Sequence, residues 1–298
     1  MASRSVVPSR DLGLEWGLLF ARYLLDSEEL HYGYFTPDIP VKLANLPQAQ
    51  KQHTDLILSH LPQSAQTVLD VGCGTGGLAL RMAQRGCQVD CVAPDSTLLD
   101  CAQARLGDRA RIFRERFEHF QGDRKYDAVV FSESFQYVPV DLALANIDRL
   151  LKPGGCLLIC DFFKRQGKQG SPIGGGHKIH TFLEAAKQAG FEASTDLDIT
   201  AQTAPTMTLV AEFLDKVGAP FWRMGVDYCT VAWPKSTRLV KWWFKQRLAK
   251  LDEKYFSGRR NAATFTEFKT YRLMLFERTA DRKPAEAGTT KTAEPATA

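Results

Sequence analysis

The run Val68-Leu69-Asp70-Val71-Gly72-Cys73-Gly74-Thr75-Gly76-Gly77 constrains this chain more than any other feature. An apolar strand that enters a glycine-rich turn and continues as helical sequence over 77–86 opens a doubly wound α/β sheet. Glycines allow a tight turn and let a ligand approach the backbone closely. The following helix offers unpaired N–H groups and the positive end of its dipole. Spacing alone leaves the ligand open. Gly72, Gly74 and Gly77 satisfy the G-x-G-x-x-G pattern of dinucleotide sites, while Gly72, Gly74 and Gly76 satisfy G-x-G-x-G. Asp70 separates the two, because a carboxylate two residues before the first glycine repels a pyrophosphate and suits a cationic group.

Alternating signals extend on both sides. Strands are predicted at 67–72, 88–94, 110–117, 125–134 and 156–163, with helices over 77–86, 96–107 and 141–155. The strand at 156–163 is nearly all apolar, as a strand buried on both faces should be. A helix, a glycine and a sixth strand follow by 200, and 264–278 returns to β character. The expected architecture is a doubly wound, mostly parallel seven-stranded sheet. It divides into an N-terminal helical lid (1–62), a core (63–202), a helical insertion (203–262), the last strand (263–280) and a disordered polar tail (281–298). The Gly-rich stretch 164–178 reads as a long loop of the kind that forms lids.

Composition excludes several classes. No apolar run approaches the ~18 residues of a membrane span, and MASRSVVPSRDLG lacks a signal-peptide core. Seven scattered cysteines point to reduced thiols in a cytoplasmic setting. The pairs Cys87/Cys91 and Cys156/Cys160 lack further ligands nearby, so no metal is expected. A net charge of +4, with no N/D-P-P-Y/F motif after the fourth strand, disfavours nucleic acid. The charge is uneven. From Lys235 to Lys254 seven Lys/Arg face Asp252 and Glu253, and Trp242 and Trp243 sit among them. That reads as a basic amphipathic helix (235–256) suited to peripheral contact with an anionic membrane, or to covering an apolar acceptor. Val240, Phe244, Leu248, Leu251 and Tyr255 recur at spacings of 4, 4, 3 and 4, the stripe of a helix packed on the sheet.

LDVGCGTGG (69–77), together with LLKPGG (150–155) before an apolar strand, resembles the class I S-adenosylmethionine-dependent methyltransferases. The likeness covers about 67–163, a third of the chain. It implies a Rossmann-like methyltransferase fold, S-adenosyl-L-methionine as cofactor and methyl transfer to a small molecule. Asp70 would then face the cofactor's amino end, and Gly72, Gly74 and Gly76 its close backbone approach. EELHYGYF (28–35) is similar to the helical lid of amine, tocopherol and cyclopropane-fatty-acid-type members. By that likeness Tyr32 and Tyr34 help hold the methionine end, and the Phe117 backbone reads the adenine edge. One departure stands out. Ala93 occupies the place of the acid that grips the ribose in this family, and Asp95, two residues on, is the candidate replacement. Its alternative role is a helix N-cap.

Methyl transfer is a direct displacement, so the protein mainly positions and desolvates, with a base added for an oxygen acceptor. Acceptor-facing groups should come from the C-terminal ends of the strands, the lid and the insertion. These nominate Glu133, Gln136 and Tyr137, His177 after three glycines as a swinging base, and His31 in the lid. The insertion, with Trp222, is expected to roof an apolar pocket together with 28–35, favouring an apolar, aromatic or lipid-like acceptor. His53, His60 and His119 read as structural or solvated. An NAD(P)-dependent oxidoreductase fails to explain Asp70 and LLKPGG. A non-catalytic binding module gains from Ala93 but not from the intact glycine loop.

Overall fold

Leu69, Val71, Val129, Phe131, Leu157 and Ile159 are buried on one side of a sheet, and Val68, Cys91, Ala128, Val130, Leu158 and Cys160 on the other. This period-two division of continuous apolar runs requires cover on both faces. A computed structural model describes residues 9–94 and 97–279 and supplies that cover. The strands are β1 Thr67–Val71, β2 Gln88–Ala93, β3 Ala110–Arg114, β4 Tyr126–Ser132, β5 Leu151–Lys164, β6 Phe191–Asp198 and β7 Lys269–Arg278. They form one seven-stranded sheet in the order β3-β2-β1-β4-β5-β7-β6. β1 to β5 run parallel, and β7 inserts antiparallel between β5 and β6. The expected doubly wound, mostly parallel sheet is therefore present, and its order reverses at β1/β4, the switch point where such sheets bind ligands.

Helices α1 Ser9–Leu25, α2 Leu46–His60, α3 Gly77–Gln84, α4 Thr97–Leu106, α5 Val140–Leu150 and α6 Ile179–Gln188 surround the sheet. Ile57 and Leu58 of α2, Ala79 and Met82 of α3 and Ala102 of α4 pack on one face. Leu144, Ile147 and Leu150 of α5 and Phe182 of α6 pack on the other. Each such fully buried aliphatic or aromatic side chain contributes ~1.5–3 kcal/mol. β2 and β3 are stitched by a buried carboxylate: Asp90 accepts from Arg111 (2.9 and 2.6 Å) and from the Tyr126 hydroxyl (2.7 Å).

After β6 come α7 Thr200–Thr203, α8 Pro205–Phe213, a π-turn at Leu214–Gly218, α9 Ala219–Ala232, α10 Pro234–Trp243, α11 Lys245–Phe256 and α12 Ala262–Phe268. Prolines stand at the starts of α8, α9 and α10, where a missing N–H costs little. Two sequence expectations change here. The stripe Val240–Tyr255 is not one helix face on the sheet. Phe244 (φ −101°, ψ 13°) divides α10 from α11, and Val240 is half exposed. TFTEF (264–268) is helical rather than β, because the Asn261 side chain accepts from the Thr264 N–H at 2.9 Å and caps α12. The tail 281–298 lies outside the described residues.

The α12 cap gives a stability test. Phe265 of α12 is fully buried beside the Tyr32 ring. Asn261→Ala should cost ~1 kcal/mol, seen as a lower urea midpoint at unchanged slope, whereas Asn261→Asp should keep most of it.

Candidate functional site

The loop after β1 is built from left-handed turns. Gly72 (φ 77°), Gly74 (φ 56°) and Gly76 (φ 82°) all hold conformations that L side chains rarely adopt. Their surroundings differ. A Cβ on Gly72 would lie 2.4 Å from that of Ser134, and one on Gly76 would press against Leu106 and Ala102 of α4. A Cβ on Gly74 would meet no protein atom within 4 Å. Gly72 and Gly74 line a cavity of about 540 Å³ at the C-terminal edge of β1 and β4, while Gly76 packs behind it.

Asp70 projects into this cavity from the end of β1. It is buried, and its Oδ2 has no hydrogen-bond partner. Burial alone pushes its pKa up to about 7. A buried carboxylate oxygen without a donor is costly, and a cationic ligand would relieve the cost. Thr75, Gly77 and Leu78 continue the wall, with Val92, Ala93, Pro94 and Thr97 on the β2 side. Asp95 lies outside the described residues. Phe117 lines the cavity, but its carbonyl already accepts from Asn146 at 2.6 Å. Glu118, beside it, faces the cavity from the same short turn after β3.

The strap between α1 and α2 closes the opposite side through Glu29, Leu30, His31 and Tyr32. Electrostatics hold it down. Arg105 of α4 pairs with Glu28 and Glu29, and the Thr75 hydroxyl donates to the Glu28 carbonyl at 3.1 Å. The Glu29 carboxylate sits where a Cβ on Gly77 would fall, at the start of α3, where an anion meets the positive end of the helix. Gln50 donates to the Glu29 and His31 carbonyls.

A connected polar set underlies the acceptor end. Glu133 follows β4 in a left-handed conformation (φ 55°), which is rare for a residue with a side chain. Its Oε1 accepts from the Tyr271 hydroxyl (2.6 Å) and the Tyr32 N–H (2.7 Å). Tyr271 in turn lies 3.0 Å from His53 Nε2. Burial raises the Glu133 pKa, with His31, Tyr271 and Tyr32 opposing the rise. Burial drives that of His53 well down, so its ring is neutral. His31 stacks on His53 at 4.9 Å and donates from Nδ1 to the Tyr32 carbonyl at 2.9 Å, which leaves Nε2 on the side of Glu29 and Thr54. Burial lowers its pKa, but bonding to Glu29 and the charges of Glu133 and Glu29 reverse the sign, and the net shift is upward.

Of the residues nominated from sequence, the cavity wall gathers Asp70, Gly72, Gly74, Phe117, His31, Tyr32, Glu133, Gln136 and Tyr137. Tyr34 is half-buried behind the strap, its N–H bonded to the Ala49 carbonyl. His177 is not a swinging group. Its Nε2 donates to the Phe135 and Val138 carbonyls at 3.1 and 3.0 Å and ties down the 165–178 loop. Lys269 pins the same loop through the Gly175 carbonyl at 2.6 Å, so this loop is fixed framework rather than a lid over the cavity. Trp222 and the rest of 203–262 are absent from the cavity wall, and the roof is the strap together with Leu14 and Glu15 of α1. Sequence reasoning missed Tyr271, Glu29 and Arg105 and undervalued His53. Tyr271, Arg105 and His53 carry no motif, and only the antiparallel insertion of β7 next to β5 brings Tyr271 to Glu133.

Known proteins agree with this architecture. Residues 68–155 match the family described as Methyltransferase domain. An uncharacterized methyltransferase of Mycobacterium tuberculosis is 35% identical over 97 residues, 33% of this chain and 40% of the relative. The chain thus spans about two-fifths of that relative's length. The 27-O-demethylrifamycin SV methyltransferase of Amycolatopsis mediterranei is 26% identical over 209 residues, 62% of this chain and 74% of that one. The structure of geranyl diphosphate C-methyltransferase from Streptomyces coelicolor, solved with S-adenosyl-L-homocysteine, superposes with a TM-score of 0.61. It is 18% identical and covers 89% of this chain and 98% of the other. The fold is the Rossmann-like methyltransferase fold.

Asp70 yields a prediction of opposite signs. Its pKa in the folded protein, about 7, lies above the ordinary 3.8, so the ligand-free protein loses stability as pH rises from the unfolded value through 7. Asp70→Asn should therefore melt higher than wild type at pH 8 and bind S-adenosylhomocysteine at least tenfold more weakly, ~1.4 kcal/mol by calorimetry. A variant both more stable and equally tight-binding would remove Asp70 from the ligand site.

Proposed function

We propose that this protein transfers a methyl group from S-adenosylmethionine to a small, apolar or aromatic acceptor by direct displacement. The observation that carries this reading is the unpartnered, buried Asp70 oxygen beside the left-handed Gly72–Gly74 turn. That site fits the cofactor, a molecule with a cationic amino-acid tail and a flat base. Asp70 would hold the ammonium, the open side of Gly74 would admit the backbone approach, and Val92, Ala93, Leu99 and Phe117 would border the base. Two family positions diverge: Ala93 brings no carboxylate to the ribose, and the Phe117 carbonyl is already engaged.

The bound cofactor supplies a methyl group on a positively charged sulfur. The acceptor end of the cavity is lined by Tyr32, Leu30, Val138 and Phe162, with Glu133, Gln136 and Tyr137 among them. Apolar walls exclude water and favour an apolar acceptor over solvent as the attacking group. For a hydroxyl acceptor, the proton released on attack goes to His31 Nε2. The bond from Nδ1 to the Tyr32 carbonyl fixes that tautomer, and Glu29 and Glu133 stabilise the imidazolium. Glu133 is a positioning residue: it anchors the Tyr32 backbone, and hence the strap, through Oε1.

Incubating the protein with isotopically methyl-labelled cofactor and a fractionated extract tests the reading directly. Label should appear in an apolar fraction, and exclusive labelling of small hydrophilic amines would contradict the acceptor class. With an acceptor in hand, His31→Gln should lower kcat by about 10²-fold or more with cofactor affinity within a few-fold. The wild-type rate should climb with pH through the raised His31 pKa, since only the neutral ring accepts a proton. A flat profile and an unaffected variant would leave positioning as the protein's whole contribution.

A further inference from the structure

Helices α9 to α11 form an arm whose only buried residue in α9 and α10 is Ala219. The apolar side chains are nevertheless large and ordered by face. On α9, Phe221, Met224, Tyr228 and Val231 recur at spacings of 3, 4 and 3 and are all strongly exposed, Val231 at 83%. On α10, Leu239, Trp242 and Trp243 share one face, and both tryptophans are 72% exposed. Thr237 and Lys241, on the other side of α10, contact α9 through the Cys229 carbonyl and the Thr230 hydroxyl. The tryptophan face is therefore the one turned away from the rest of the arm. Helical geometry puts Lys235 and Arg238 on that same face, about two turns and one turn before the tryptophans. Exposed aromatic and apolar helix faces of this kind mark an interaction surface.

The charge says what covers it. Residues 219–256 carry eight Lys/Arg against three Asp/Glu, a net +5, while the whole chain is +4. All of the protein's excess positive charge thus resides in one arm whose outer face is aromatic. A second copy of the chain would bring like charge against like. An apolar surface rimmed by anions satisfies both the tryptophans, which prefer the boundary between hydrocarbon and water, and the lysines, whose stems reach to headgroups. No helix among the described residues is long and apolar enough to cross a membrane, so the contact is peripheral.

We propose that the α9–α11 arm docks the protein on an anionic lipid surface, with Trp242 and Trp243 in the headgroup boundary and Lys235 and Arg238 against acidic headgroups. This stands whatever the methyl acceptor is, because the arm contributes nothing to the cavity wall. The test is cosedimentation of the full chain with vesicles of phosphatidylcholine alone, or with roughly one-third phosphatidylglycerol, at low salt and at about 0.5 M salt. Binding is expected on the anionic vesicles only, with a blue shift of tryptophan fluorescence and loss in high salt. Lys235→Gln/Arg238→Gln should weaken partitioning by at least tenfold, and Trp242→Ser/Trp243→Ser should abolish the blue shift. Both double variants should keep the wild-type melting temperature and S-adenosylhomocysteine affinity. Absence of vesicle binding, or equal binding to neutral vesicles, would overturn the proposal. So would a dimer by light scattering that Trp242→Ser/Trp243→Ser dissociates, since a second copy would then be the occupant.

Discussion

The Glu133 carboxylate joins parts of the chain that are far apart in sequence. One oxygen accepts from the Tyr32 N–H in the strap and from the Tyr271 hydroxyl in β7, and the latter rests against His53 of α2. Glu133 sits at the switch point of the sheet, in a left-handed backbone conformation that costs of order 1–3 kcal/mol. Such strain persists only where the surroundings over-determine it, and here the Glu133 N–H is also held by the Cys160 carbonyl at 2.9 Å. The strain places the carboxylate between strap and sheet. The strap's charged anchor at Arg105 is partly solvated and correspondingly weaker.

The same economy governs Asp70. A folding protein gains nothing from a buried carboxylate oxygen without a donor, and the surrounding strand could bury an apolar residue there at lower cost. The penalty is tolerated at one end of the cavity, while at the other the Glu133 Oε1 accepts two hydrogen bonds. The two carboxylates therefore differ in kind: Asp70 is left unsatisfied toward the ligand space, and Glu133 is satisfied by the protein itself.

The sheet and the glycine loop were legible in the sequence because each rests on local rules. Period-two burial, glycines at obligatory left-handed positions and a carboxylate next to them are all readable within ten residues. What depends on tertiary contact was not. His177 follows three glycines and looks mobile, yet two carbonyls from the turn after β4 capture its ring. The periodicity of 240–255 suggests a packed stripe, but the helix breaks at Phe244, and Val240, Phe244 and Tyr255 are exposed. Tyr271 lies in a strand with no motif, and its role exists only because β7 enters the sheet beside β5.

The separation of arm and cavity bears on how an apolar acceptor would arrive. A roof built from the insertion would have to open for every acceptor, exposing its aromatics to water each time. Here the roof is a short strap fastened by Glu133 and Arg105 together with Leu14 and Glu15, and Trp233, Trp242 and Trp243 of the insertion are exposed. Enclosure and surface recognition are thus assigned to different segments, 26–35 and 219–256. The first can tighten around a small molecule without disturbing the second. A positively charged aromatic arm fixed outside the cavity suits a protein whose acceptor is held in, or beside, an anionic interface rather than dissolved in bulk water.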